Sequence, residues 1–250
     1  VSLAACAERV ERGDPDRFRA VMSAPPAARA VLFPLYAFNL EVARAPWVTR
    51  EPLLAEMRLQ WWRDVIEGAG QGAPPPSHEI AGPLAALIRD GRLDPAPLDA
   101  LIEARRRDAE PRPMHLAELR PYLEGTAGNL LWAAAQALGG TRREATIKIG
   151  FAQGAALWLS ALPELRTRGR GLADDRADAV RSLAQDALAA LAEARAARPG
   201  PAAALRAATL AAPILRAALA DPEAVFAGRL AMPEGQRRLR LIWAALRGTW

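Results

Sequence analysis

Residues 122–139 read YLEGTAGNLLWAAAQALG, and the fold turns on how this stretch is read. Its longest apolar run, NLLWAAAQAL, stops well short of the roughly 18–20 residues a bilayer-spanning helix needs. The period of its apolar residues is helical. Two glycines, Gly125 and Gly128, nevertheless lie inside the pattern, each costing a helix roughly 1 kcal/mol relative to alanine. Two compensating roles stay open on sequence: close packing against another helix, or a groove wide enough to admit an apolar chain.

Outward from this stretch the chain keeps the same period. DPDRFRAVMSAP opens with Asp14 as a helix cap and Pro15 at the first helical position. PPAARAVLFPLYAFNLEVARA sets Val31, Leu35, Phe38 and Val42 along one stripe. REPLLAEMRLQWWRDVIEG repeats the pattern with Leu54, Met57, Trp61 and Val65, and Gly68 is predicted to end it. Further helices are predicted near 80–90, 95–108, 142–164, 174–197, 201–219 and 235–247. No strand-like alternation occurs. The Gly/Pro-rich segment 68–79 is predicted as a loop, and the composition does not change across it. One all-α domain over 1–250 follows.

The net charge of +5 is carried almost wholly by arginine, with Lys148 the one lysine. The arginines alternate with Asp and Glu along most helices instead of forming a block, so no nucleic-acid partner is expected. The single cysteine, Cys6, excludes an internal disulfide and fits a reducing compartment. It lies near a terminus among alanines and reads as a small buried or frayed residue, not an activated nucleophile. No signal peptide and no transmembrane segment are read. His78 in the Pro-rich loop and His115 in a turn have no His or Cys at metal-ligand spacing and read as solvated loop residues. The hydrolase GxSxG elbow and the glycine-rich phosphate loops are missing.

Three stretches taken together carry more: LFPLYAFNLEVAR at 32–44, EMRLQWWRDVIEG at 56–68, and the opening stretch at 122–139. With Tyr36 to Phe38, Trp62 to Asp64, Tyr122 with Gly125, Thr126 and Gly128, and the Gly169–Arg170 turn, the chain resembles the squalene/phytoene synthase family over roughly residues 14–175. The resemblance implies an all-α isoprenoid-synthase-like bundle around a central cavity. In active members, two aspartate-rich motifs on facing helices hold Mg²⁺ against a prenyl diphosphate. Here the first motif's place reads NLEVARAPW, with Ala43, Arg44 and Trp47 where aspartates would stand. The helix before the Gly–Arg turn reads FAQGAALWLSALPELRTRGR, with Glu164 its only carboxylate. Mg²⁺ requires hard oxygen ligands, and an allylic diphosphate cannot ionise in an apolar cavity without neutralisation of the leaving group. The string LADDRADAV at 172–180 offers Asp174, Asp175 and Asp178 in a DDxxD pattern, but it follows the turn and reads as the start of a helix.

The resemblance thus implies no catalytic residue, no metal ligand and no cofactor, with Mg²⁺ relevant only if a divergent metal site survives. It assigns Tyr36, Phe38, Tyr122, Gly125, Thr126, Gly128 and Trp132 to a cavity for an isoprenoid lipid or prenyl diphosphate. A dry tunnel lined by Tyr36, Phe38, Tyr122 and Trp132 would point to a lipid carrier, and a filled cavity to a protein partner. Arg44, Arg58 and Arg63 are candidate anion-binding residues, and Glu124 is placed to pair with Arg63 or Arg44. Near the other end, Leu239, Ile242, Trp243, Leu246 and Trp250 form a stripe that suits either a membrane surface or the protein core. The branch of the family lacking the aspartate motifs is associated with respiratory complex I assembly. Two functions are carried forward. One is a non-catalytic protein that binds a protein or lipid partner, cytoplasmic and peripheral on the inner membrane. The other is a head-to-head prenyl transferase with a divergent metal site.

Overall fold

Proline and aspartate set many of the helix starts. Proline occupies the first turn of α2 (Pro15–Met22), α3 (Pro26–Arg44), α4 (Pro52–Gly70) and α6 (Ala96–Arg105), where its missing N–H costs nothing. Asp14 caps α2 by accepting the Arg17 N–H at 2.9 Å, as the sequence suggests. The computed structural model describes residues 3–48 and 51–250. Its remaining helices are α1 (Leu3–Gly13), α5 (Ala81–Arg89), α7 (Leu116–Leu123), α8 (Asn129–Ala137) and α9 (Arg143–Thr167). They continue with α10 (Ala177–Ala196), α11 (Ala202–Leu205), α12 (Ala211–Ala220), α13 (Pro222–Phe226) and α14 (Glu234–Leu246). No strand occurs among the described residues. One isolated parallel bridge joins Met114 to Leu172.

Two apolar clusters hold the bundle. The first gathers α1, α3, α4, α5 and α6 around Leu35, Phe38, Leu59, Leu84 and Leu101. The second gathers α9, α10 and α12 around Phe151, Leu159, Leu183 and Leu215. The opening stretch lies between them: Leu130 packs into the first cluster and its neighbour Leu131 into the second. Residues 143–167 and 202–220 are long and apolar enough to cross a membrane by composition. The first is α9, packed between α8, α10 and α12, and the second is broken by a 3₁₀ turn at 206–208.

Several sequence expectations are corrected. Residues 3–13, which no periodic reading picked out, form α1, whose Cys6 and Val10 are buried against α3. The buried face of α4 is Leu59, Trp62, Ile66 and Ala69, whereas Leu54, Met57 and Trp61 of the predicted stripe are exposed. Both faces of this helix are apolar, so periodicity alone could not choose between them; packing on α5 and α6 did. α4 also runs past Gly68 to Gly70. α10 starts at Ala177, and neither Asp174 nor Asp175 caps it. Asp174 pairs with Arg176 at 2.7 Å and Asp175 with Arg166 at 2.6 Å. Asp178 alone sits in the first turn, where its charge suits the helix dipole.

Candidate functional site

Residues 124–128, EGTAG, do not continue α7 as an α-helix; they widen into a π-helical turn. Thr126 Oγ1 donates to the Tyr122 carbonyl at 2.8 Å and Asn129 Nδ2 to that of Gly125 at 2.9 Å, satisfying acceptors in the distorted turn. α9 crosses this turn at close range. A Cβ on Gly150 would lie 2.6 Å from the Ala127 carbonyl oxygen and from Gly128 Cα, and one on Gly125 would lie 2.8 Å from Ala104 Cβ. The glycines of the opening stretch therefore serve helix packing against α6 and α9, which decides between the two roles left open.

The turn walls a cavity of about 230 Å³. Tyr122 and Thr126 line one side. Across from them α9 presents Gly154, Leu157, Trp158, Ala161 and Leu165. No carboxylate stands on that face: Glu164 points away and pairs with Arg168 at 2.6 Å. From α3 only Asn39 reaches the wall, while Arg44 is exposed. Trp47 sits at the mouth, where the guanidinium carbons of Arg168 and Arg170 lie 4.8 and 4.9 Å from its ring centroid. The position of the last aspartate in the first motif is thus an aromatic platform for two arginines of the Gly–Arg turn.

The polar end of the cavity is a hydrogen-bonded network of charged groups, in which the buried Nε of Arg105 has no partner. Arg105 Nη1 donates to Tyr122 Oη at 2.6 Å and to Asp108 Oδ2 at 3.0 Å, and Tyr122 Oη donates to the same carboxylate oxygen at 2.9 Å. Arg170 donates to the Asp108 carbonyl, held in place by backbone bonds between Met114 and the turn at 171–173. Enclosure pushes the Tyr122 phenol above its ordinary pKa against the opposing pull of Arg105, so the hydroxyl keeps its proton and donates. Arg17 is committed to Asp14 at 2.8 Å and covers the Tyr36 ring. Asp108 is therefore engaged by its neighbours. No group of three or more His, Cys, Asp or Glu positioned for a metal occurs among the described residues. The residues lining the cavity do not fit Mg²⁺.

Of the sequence-assigned cavity residues, Tyr122 and Thr126 line the cavity. Tyr36, Phe38 and Trp132 are buried in the packed core instead. Tyr36 lies under Arg17, its phenol pushed up to about 12 mainly by burial, and Phe38 meets Trp62 edge-on at 5.3 Å. The candidate anion-binding arginines do not converge. Arg63 bridges α4 to Asp99 of α6 at 2.7 Å, and Arg44 and Arg58 are exposed, with no ion pair among the described residues. Glu124 pairs with Arg120 at 3.0 Å, not with Arg63 or Arg44, because its helix turn faces α7. His78 is more than a solvated loop residue: its Nδ1 accepts the N–H groups of Ile80 and Ala81 at the start of α5, and its ring packs on Trp61 and Trp62. Arg105 and Asp108 escaped sequence reading because RRRDAE at 105–110 looks like an ordinary charged helix end. On α14, Leu239, Ile242, Trp243 and Leu246 are exposed, whereas Trp250 packs against the second cluster.

An all-α bundle with this cavity and the Tyr–Gly–Thr–Gly and Gly–Arg elements defines a class, and a model described as squalene/phytoene synthase matches residues 10–172. The chain belongs to the squalene/phytoene synthase family. Among curated proteins it is 30% identical over 167 residues to the Drosophila melanogaster "NADH dehydrogenase (ubiquinone) complex I, assembly factor 6 homolog", covering 63% of this chain and 50% of that one. It is 26% identical over 162 residues to the Homo sapiens "NADH dehydrogenase (ubiquinone) complex I, assembly factor 6", covering 63% and 48%. The chain thus spans about half the length of the curated relatives it matches. Its fold is similar to that of a dehydrosqualene synthase solved in complex with a ligand, with TM-score 0.79, 14% identity and coverage of 98% and 95%. It is also similar to the squalene synthase HpnC from Alicyclobacillus acidocaldarius, with TM-score 0.67, 16% identity and coverage of 98% and 94%. At these identities the solved structures speak to fold alone.

Proposed function

We propose that this protein is a non-catalytic member of its family that binds a protein partner during assembly of respiratory complex I, peripheral on the inner membrane. The names of its curated relatives support the assembly role. The observation that carries the non-catalytic part is the cavity. It opens at Trp47 and Arg170 into a wider mouth of about 630 Å³, and among the described residues neither lining gathers three or more carboxylates for a metal. Its polar end is filled by its own arginines, and its α9 wall offers Leu157, Ala161 and Leu165 in place of metal ligands.

A partner surface is available beside the old mouth. Trp47, Val48, Leu53, Leu54, Met57 and Trp61 are 37 to 70% exposed over one short stretch. Single exposed apolar residues are ordinary, but a contiguous group rich in Trp and Met is what interfaces use. Arg58, exposed beside them with no ion pair among the described residues, suits a partner segment that pairs an apolar face with an acidic residue.

The test is deletion of the gene in the organism that encodes it, with assembled complex I read on native gels. Deletion is expected to lower the assembled complex, and the wild-type gene to restore it. A Leu54→Asp/Met57→Asp variant, folded with an unchanged melting temperature, is expected to fail. Unchanged complex I on deletion overturns the assembly role, and full rescue by the double variant overturns the docking surface.

A further inference from the structure

The last helix, α14, is attached to the body almost entirely through charge. Ala244 is its one buried residue. Arg237 is bonded to Asp16, and Arg19 reaches Glu234 at 2.7 Å. The opposite side carries Leu239, Ile242, Trp243 and Leu246, which are 52 to 76% exposed. Among the described residues nothing covers this outward stripe.

Beside the helix, bordering this stripe, runs a groove of about 540 Å³. Four arginines line it: Arg195 of α10, Arg216 of α12, and Arg240 and Arg247 of α14. Among the described residues no carboxylate lines it and none of the four makes an ion pair. Arg195 and Arg247 instead lie over the rings of Trp250 and Trp243, at 5.0 and 5.1 Å. By contrast, Arg63 is neutralised by Asp99 and Arg106 by Glu56. Burial and the nearby Arg216 both pull the Arg195 pKa below its ordinary value, as expected for cations gathered without a counter-ion.

We propose that α14 and this groove form a docking site for an anionic phospholipid surface: the four arginines take lipid phosphates while the outward stripe enters the acyl boundary. Leu239 and Trp243 belong to both features, so the anion site and the apolar face open on the same side. That continuity favours a lipid over a free phosphate, which needs no apolar neighbour. A short amphipathic helix bearing Trp and Leu on one face and arginines on the other matches the physics of interfacial binding. Each arginine near an anionic leaflet adds about 1 kcal/mol, screened by salt. This deepens the peripheral placement proposed above and rests on it.

The test is co-flotation of the purified full chain with phosphatidylglycerol–phosphatidylcholine vesicles and with pure phosphatidylcholine vesicles, at low and high salt. Binding is expected to the anionic vesicles, to weaken with salt, and to be nearly absent from the neutral ones. Arg216→Gln/Arg240→Gln is expected to lower the vesicle affinity roughly 30-fold. Ile242→Asp/Leu246→Asp, which changes only exposed side chains, is expected to abolish it with unchanged circular dichroism. Absence of flotation, or binding indifferent to both variants, overturns the proposal. Binding of inorganic phosphate by calorimetry without vesicle binding overturns it in favour of a soluble anion. Because the assay contains no partner protein, it can fail while the complex I role stands, and succeed while that role fails.

Discussion

Tyr122→Phe separates a structural network from a ligand site. The hydroxyl accepts from Arg105 at 2.6 Å and donates to Asp108 at 2.9 Å, so its loss removes two bonds to charged groups. Such bonds each contribute about 1.5–3 kcal/mol. Arg105 keeps its direct bond to Asp108 at 3.0 Å, which limits the damage. A net destabilisation of about 2–3 kcal/mol is expected, equivalent to roughly 5–10 °C in melting temperature for a chain of this size. Asp108→Asn should be worse, about 3–5 kcal/mol, because it leaves the Arg105 guanidinium enclosed without its counter-charge. Urea unfolding followed by far-UV circular dichroism measures both. A Tyr122→Phe midpoint within about 0.5 kcal/mol of wild type would refute the reasoning, as would the reverse ranking of the two variants.

Other outcomes follow from single sites. Gly150→Ala should destabilise by about 1–3 kcal/mol despite its better helix propensity, because its new Cβ meets backbone at 2.6 Å, while Gly235→Ala, with open space around it, should be neutral or slightly stabilising. Chemical denaturation of the pair checks the contrast. The Cys6 thiol, pushed up to about 11 by burial and then by Glu79, should resist Ellman's reagent at pH 8 in the folded protein and react at once in denaturant. The Glu118 carboxyl is held down to about 2 by Arg112 and the His115 N–H. A depressed carboxylate contributes stability that is full above its unfolded value near 4.5 and lost as pH falls through about 2. A side-chain NMR titration of Glu118 should show that low midpoint, with no inflection near 4.5.

Much of this molecule was legible from residue types and spacing. The helical period, the Asp14–Pro15 start and the loss of both aspartate motifs all needed only local reading, because each depends on neighbours in sequence. The face of α4 did not, since Leu54, Met57 and Trp61 match Leu59, Trp62 and Ile66 in apolar character and tertiary packing alone chose between them. The role of Gly125 and Gly128 required knowing what crosses them, and the answer lies some twenty residues away, in Ala104 of α6 for the first and Ile147 of α9 for the second. The assignment of Tyr36, Phe38 and Trp132 to a cavity assumed a bundle left open at its centre. The chain instead packs those rings into its core and leaves a cavity with the Arg105–Asp108–Tyr122 cluster at its polar end, assembled from two helix ends that no short motif connects.

The most direct measurement on the non-catalytic reading is calorimetric titration of farnesyl diphosphate into the purified protein, once with Mg²⁺ and once with EDTA. The cavity offers Leu157, Ala161, Leu165 and Trp47 where a metal cluster would need carboxylates, so no Mg²⁺-dependent heat is expected. Tight binding that appears with Mg²⁺ and vanishes with EDTA would mean that a working metal–diphosphate site survives, and would contradict it.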